Sequence, residues 1–180
     1  MVKSNDIIQF WFEEIEPKNW WIKDEAFDAM IRDRFLSTHQ QAMQGELYQW
    51  RTTPLGRLAE IIVLDQFSRN MFRGEPESFA SDALALCLAQ TAIESEAQKS
   101  LKGKQISFLY MPFMHSESKS IHKIAEKLFS EPEVLGNKEF ELKHKAIIDK
   151  FGRYPHRNEI LGRISTEQEL EFLNQPNSSF

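Results

Sequence analysis

Apolar residues recur along this chain at helical rather than alternating spacing. Ile7, Ile8, Trp11 and Phe12 follow an i, i+1, i+4, i+5 pattern between Ser4 or Asn5, either able to cap, and the breaker Pro17. That pattern predicts a first helix ending near Ile15. Asn19-Trp20-Trp21 then makes an aromatic connector that either covers one end of the core or stacks on a ligand. A second helix over 24–44 turns Phe27, Ile31 and Phe35 inward, with Met30 and Leu36 beside them, and Gly45 stops it. Thr53-Pro54 opens a third, because proline tolerates the first helical turn. Its Leu55, Leu58, Ile61, Ile62 and Leu64 are broader than one stripe, so this helix is expected to be central and to run through Asp65 to about Phe72, stopping near Gly74.

Residues 79–98 read as a fourth helix, rich in Ala and Leu. The dense apolar run 107–114 contains Pro112, which predicts a helical stretch ending before that proline. Further helices are expected over 118–130, with Ile121, Ile124, Ala125 and Leu128 inward, and over 138–151, with Phe140, Ile147, Ile148 and Phe151 inward. Gly152-Arg153-Tyr154-Pro155 turns the chain into a short helix near 156–161. Thr166-Glu167-Gln168-Glu169 is a capping box for a last helix ending near Asn174, after which 175–180 reads as a frayed tail. No strand-hairpin pattern is visible. The expected fold is all-α, a single domain over 1–180 of stacked antiparallel helix pairs with short loops and no repeat of fixed period.

Composition adds limits. Fourteen Phe and four Trp supply large apolar area, so Trp11, Phe12, Phe35, Leu58, Ile62, Phe108 and Ile148 are expected in a well-packed core. The net charge is −5 with no basic run, which excludes a general nucleic-acid binder but leaves room for a local basic pocket. Cys87 is the one cysteine, so there is no disulfide framework and no cysteine metal site; set among Leu84, Ala85, Leu86 and Leu88, it reads as a small core residue. Asp6, Glu13 and Glu14 interrupt the N-terminal apolar residues, which argues against a signal peptide or a membrane anchor and for a cytoplasmic address.

Three segments carry candidate chemistry. In 64–74, Asp65, Arg69 and Arg73 lie four apart on one helix face, with Gln66 and Asn70 beside them. The two arginines offer planar forks to a phosphate or carboxylate; the plainer alternative is that Asp65 pairs with Arg69 and Arg73 is solvated. In 151–158, Arg153, Tyr154, His156, Arg157 and Asn158 surround a Gly/Pro turn that leads into a helix start, a setting suited to an anion or simply to a charged surface turn. In 114–117, His115 is a general acid or base tuned by Glu117 or Asp82, or else donates to a backbone carbonyl while Ser116 or Ser118 caps the next helix. His144 reads as a satisfied buried histidine, and His39 and His122 as surface residues. No His-Glu-x-x-His pattern, phosphate-binding glycine loop or Gly-x-Ser-x-Gly elbow is present, so neither a metal nor a cofactor is expected.

LDQFSRNMFRG (64–74), FLYMPFMHSE (108–117) and FGRYPHRN (151–158) together resemble the bacterial family named domain of unknown function 924, and FWF (10–12), LGR (161–163) and Ser165-Thr166 with Glu169 are similar too. The resemblance implies an all-helical fold of the tetratricopeptide-like superfamily and no established activity. Two function classes follow. In the first, Asp65, Arg69, Asn70, Arg73, Arg153, Arg157 and Asn158 line a pocket for a small anionic ligand, phosphate or carboxylate, and His115, His156 and Glu117 are the catalytic candidates. Arg69 or Arg73 then has to lie near the turn holding Arg153, His156 and Arg157, with acceptors such as Asp65, Asp82 or Glu117 between the like charges. In the second, the protein is a peptide- or protein-binding module anchored by Trp20, Trp21 and Trp50.

Overall fold

Every residue from Leu58 to Ser68 is buried, polar ones included, so this stretch is the middle of the molecule rather than one face of a surface helix. The computed structural model describes residues 2–176 and Ser178; of the expected frayed tail, residues 177, 179 and 180 lie outside the described residues. Helix α1 (Ser4–Gln9) packs on α3 (Pro54–Ile62), and α2 (Glu25–Met43) lies along α4 (Ser68–Met71). Helices α5 (Asp82–Glu94) and α6 (Gly103–Met114) cover the remaining sides of α3. From there α7 (Lys119–Leu128) and α8 (Lys138–Phe151) form an outer pair, and α9 (Glu167–Leu173) rests on a 3₁₀ turn at Pro155–Arg157. The described residues contain no strand, and no helix among them is long and apolar enough to cross a membrane.

Local chemistry sets most helix starts. Asp24 accepts from the amides of Ala26 and Phe27 at 2.9 and 3.0 Å, Thr53 from Gly56 at 3.1 Å, and Ser118 from Ile121 at 3.4 Å. At the last helix Thr166 and Glu169 exchange both bonds of the expected box. The main core is aromatic: Phe10, Trp11, Phe35, Phe67 and Phe108 meet with ring centroids between 4.9 and 5.8 Å. Trp11, Phe35, Leu58, Ile62, Phe108 and Ile148 are buried as expected, whereas Phe12 is only partly covered. Ile147, Ile148 and Tyr154, with Phe151 and Phe172, form a second and smaller apolar cluster.

The structure corrects several expectations. Pro112 lies inside α6 rather than after it. Ile106 to Met114 are all buried, and that packing outweighs the amide hydrogen bond the proline removes. Ile124 and Phe140 point outward, 44% and 54% exposed, and the Lys143 ammonium covers the Phe140 ring at 5.7 Å. Cys87 is exposed, because Ala85, Leu88, Ala89 and Ala92 form the buried face of α5 and leave position 87 outside it. His39 and His122 are buried, not superficial; His39 Nε2 lies 2.7 Å from Ser68 Oγ, and His122 is 0% exposed.

The third helix continues as foreseen, but not as one α-helix. Val63–Phe67 is a π turn, as is Phe10–Glu14. A π turn shifts the backbone donors on by one residue. Here Leu64 O accepts from the hydroxyls of Ser68 at 2.7 Å and Ser81 at 2.6 Å, and Asp65 O accepts from Arg69 at 2.7 Å. Ser68 and Arg69 belong to the same helical run, and Ser81 comes from the turn before α5.

Two substitutions test this core. Ile62→Ala leaves a hole in a site that is 0% exposed and should destabilise by about 2–5 kcal/mol in denaturant unfolding. Gly56→Ala is the sharper case, since alanine in place of glycine within a helix is ordinarily favourable by about 1 kcal/mol. A Cβ there would collide with the Trp50 carbonyl oxygen, so the sign should reverse and Tm should fall. A Gly56→Ala protein as stable as wild type would place the Trp50 turn elsewhere.

Candidate functional site

Helix α6 ends at Met114, and the four residues from Met114 to Glu117 are each held by a side chain or amide from later in the chain. Met114 O accepts from Tyr154 OH at 2.6 Å, His115 O from Arg157 at 3.0 Å, and Ser116 O from His122 Nε2 at 2.8 Å. The Glu117 carboxylate takes both arms of Arg163 at 2.7 and 2.9 Å and the Tyr154 amide at 2.7 Å. Its pKa lies below the ordinary value: burial opposes ionisation, but the Arg163 bonds and the Tyr154 amide outweigh it. His122 is held in turn, with Nδ1 2.8 Å from Glu141 Oε1. Burial pushes the Glu141 carboxyl up, and His122 partly offsets that rise. The backbone on which His115 stands is therefore fixed by these side chains as well as by the last turn of α6.

The His115 imidazole meets the π turn. Its Nδ1 lies 2.7 Å from Oδ1 of Asp65, a carboxylate that is 0% exposed. Gln66 donates to the other oxygen at 2.6 Å, and Arg69 approaches Oδ1 at 3.3 Å. Burial disfavours the Asp65 charge, yet His115 and Arg69 together hold its pKa well below the carboxylate range. His115 moves the same way for different reasons. Burial and then the Arg69 charge lower its pKa, and Asp65 only partly restores it. At neutral pH this pairing is an aspartate beside a neutral imidazole, with the proton on Nδ1. No hydrogen bond among the described residues engages Nε2, and His115 lines an open cleft of about 510 Å³.

Two arginines from distant segments meet at Asp82 on α5. Arg69 forks onto both carboxylate oxygens at 2.9 and 3.1 Å, and Arg157 donates to Oδ2 at 3.0 Å. Arg157 is buried, its guanidinium 4.5 Å from the Phe79 ring centroid and 4.7 Å from that of Tyr154. Asp65, Asp82 and Glu117 balance Arg69, Arg157 and Arg163, and with a neutral His115 the charges sum to zero, so the cleft carries no standing positive excess. Segments 64–74, 114–117 and 151–158 thus converge, through Arg69, His115 and Arg157.

The other candidates stand apart. Arg73 pairs with Asp28 on α2, to which Asn70 also donates at 2.7 Å, so both serve the contact between α2 and α4. Arg153 forks onto Glu169 at 2.7 and 2.8 Å and braces α9. Asn158 bonds Ser165 and Arg163, at 3.0 and 2.9 Å. His156 is packed against Tyr154, with ring centroids 5.5 Å apart, and is not among the residues lining the cleft. His144 is the satisfied buried histidine expected, its Nδ1 2.7 Å from Phe140 O. Trp20 and Trp50 pack against the core, which leaves Trp21 as the exposed member of the aromatic trio. Sequence reasoning missed Arg163 and the His122–Glu141 pair. Glu141, His144 and Ile148 lie on one face of α8, and that spacing was the signal available for a buried glutamate.

A family model described as "Bacterial protein of unknown function (DUF924)" matches residues 7–177. No curated protein matches the chain. A solved structure, that of the protein of unknown function ATU0120 from Agrobacterium tumefaciens, is similar with a TM-score of 0.88 and 34% sequence identity, over 95% of this chain and 96% of that one.

The buried histidines predict an acid-sensitive fold. Burial lowers His144 to about 3 and His156 to about 4, against an ordinary 6.5. Below pH 6.5 the unfolded chain therefore binds protons that the native chain does not, and stability falls as pH falls. At pH 5 each of the two costs about 2 kcal/mol. His39, also lowered by burial, acts in the same direction, and Glu141, raised by burial, acts in the opposite one. Thermal unfolding should show a Tm roughly 10 °C lower at pH 5 than at pH 7. A Tm that is flat across that range would mean that the native imidazoles are protonated.

Proposed function

The chain belongs to the DUF924 family of bacterial proteins of unknown function, and on that footing we propose that the cleft beside His115 is a small-molecule site with acid–base chemistry, built for a ligand bearing an anionic group. The observation that carries this reading is the 2.7 Å pair between His115 Nδ1 and the buried Asp65, which leaves Nε2 to a cleft that Arg157 also lines. A buried carboxylate that orients a neutral imidazole is the arrangement that lets the far nitrogen take up or release a proton. Asp65 then stabilises the imidazolium that forms. The site groups are His115 as the proton-transfer residue, Asp65 as its positioning partner, and Arg157 as the anion contact, braced with Arg69 on Asp82. An exposed thiol at Cys87 is suited to a reducing compartment, which supports a cytoplasmic setting.

Charge balance selects among anions. A phosphate dianion would face the Asp82 and Glu117 carboxylates in a cleft with no positive excess. A carboxylate brings one negative charge, and one proton taken up at His115 Nε2 balances it. Binding of a carboxylate is then coupled to protonation. The groups facing His115 are Asp65 and Arg69 from the third helical run, Asp82 from α5, His144 from α8, and Arg157 through the His115 carbonyl. The competing interaction-module reading keeps one exposed anchor, Trp21, of the three it called on.

The coupling has a definite sign. His115 is depressed in the free protein, and a carboxylate bound beside it would raise it, so between those two values each unit fall in pH should strengthen binding by up to about tenfold. Acetate affinity, followed by NMR titration at matched ionic strength, should rise as pH falls from 8 to 6. His115→Gln should flatten that dependence, and inorganic phosphate should bind more weakly than acetate at pH 8. Acetate binding that does not vary with pH, or that keeps its pH dependence in the His115→Gln protein, would overturn the reading.

A further inference from the structure

The cleft has two unlike walls. One presents His115, Ser116, Glu117 and Arg157. The other is formed by the start of α5 and the turn before it, together with Leu161 from the C-terminal segment. On α5, Asp82 and Leu86 are one turn apart with Ala83 between them, and Phe79 stands in the preceding turn. Beyond Asp82 the lining side chains Ala83, Leu86 and Leu161 carry no hydrogen-bonding atom, so water there is held on one side only. The 1.5 Å rise per residue makes this apolar strip about 6 Å long from Asp82 to Leu86. Arg157 lies at its polar end, stacked on Phe79 at 4.5 Å.

We infer that the ligand of this cleft is an amphipathic carboxylic acid, its carboxylate at His115 and Arg157 and a short apolar body of about four to six carbons lying along Phe79, Ala83, Leu86 and Leu161. The inference rests on the carboxylate reading above and adds the rest of the molecule to it. A bare carboxylate leaves most of the 510 Å³ cleft and the whole apolar wall unused. A body that covers Ala83 and Leu86 removes that surface from water, which is favourable without any further polar contact. An amine of the same length fits less well, although two carboxylates line the cleft. Asp82 already takes three guanidinium bonds, from Arg69 and Arg157, and Glu117 takes two from Arg163. The unengaged Nε2 of His115 carries a positive charge only when it holds a proton, and that state suits an anion.

The test is a homologous series measured at pH 6 by NMR titration: acetate, butyrate and hexanoate, with 1-hexanol and hexylamine as tail-matched controls. Affinity should climb from acetate to hexanoate by two- to fourfold per methylene, the fourfold limit being full burial. Hexanoate should bind at least tenfold more tightly than either control. Leu86→Ser, at a part-exposed helix position, should lower the hexanoate-to-acetate affinity ratio by fivefold or more. Ala83→Phe, which fills the same strip without removing a core residue, should do likewise. Equal affinity along the series, or hexylamine binding better than hexanoate, would overturn the amphipathic ligand while pH-linked acetate binding kept the carboxylate reading in place. Failure of acetate as well as hexanoate to bind would remove both.

Discussion

A carboxylate with no access to water must be neutralised where it stands, and Asp65 imposes that requirement on the centre of this protein. Its partners are fixed by it. Gln66 and Arg69 are supplied by its own helical run, and His115 comes from the end of α6. Arg69 in turn needs a second acceptor, Asp82, and Asp82 is the group on which Arg157 also closes. From one buried negative charge the chain of compensation therefore reaches α4, α5, α6 and the turn after α8. Each charge in this chain shares a partner with the next, so substitutions among Asp65, Arg69, Asp82 and Arg157 are expected to couple rather than to add.

The π turn at Val63–Phe67 explains how such a residue can be tolerated in the most buried helix of the fold. The carbonyls of Leu64 and Asp65 accept from the side chains of Ser68, Ser81 and Arg69, so the polar side chains around the cluster also bond the backbone that carries it. The serines themselves connect to His39, the histidine that lies farther along α2. Site and scaffold thus share one hydrogen-bond network instead of being layered one on the other.

The fold was largely legible because its signals are local. Thr53-Pro54, Asp24, Ser118 and the Thr166–Glu169 box each act within one helical turn, and each is read without knowing what lies across the core. What escaped notice depended on distant packing. Pro112 counts as a breaker until nine successive buried residues are seen to hold its helix together. Phe140 and Ile124 have the right spacing for the core, but the outer pair of helices leaves their sides uncovered. For the site, Arg69, His115 and Arg157 were identifiable as polar residues embedded in apolar motifs. Arg73 had the same local appearance as Arg69, four positions earlier. Only the presence of Asp28 on α2 sends it elsewhere.

The two apolar clusters meet along a seam, and the polar network is what crosses it. The larger cluster takes in the helices up to α7 and the Pro132–Asn137 turn, and the smaller one joins α8 to the Tyr154 turn and Phe172 of α9. Met114 to Glu117 belong to the first half, and Tyr154, Arg157 and Arg163 to the second. The aromatic core and the His115–Asp65 pair both lie within the first half, whereas the bonds that hold Met114 O, His115 O and the Glu117 carboxylate come from the last thirty residues. A local opening of the seam would release the 114–117 backbone and the Arg157 wall of the cleft without unfolding the body. A compound lodged between Leu161 and α5 would press that seam shut, tying occupancy of the cleft to the cohesion of the whole chain.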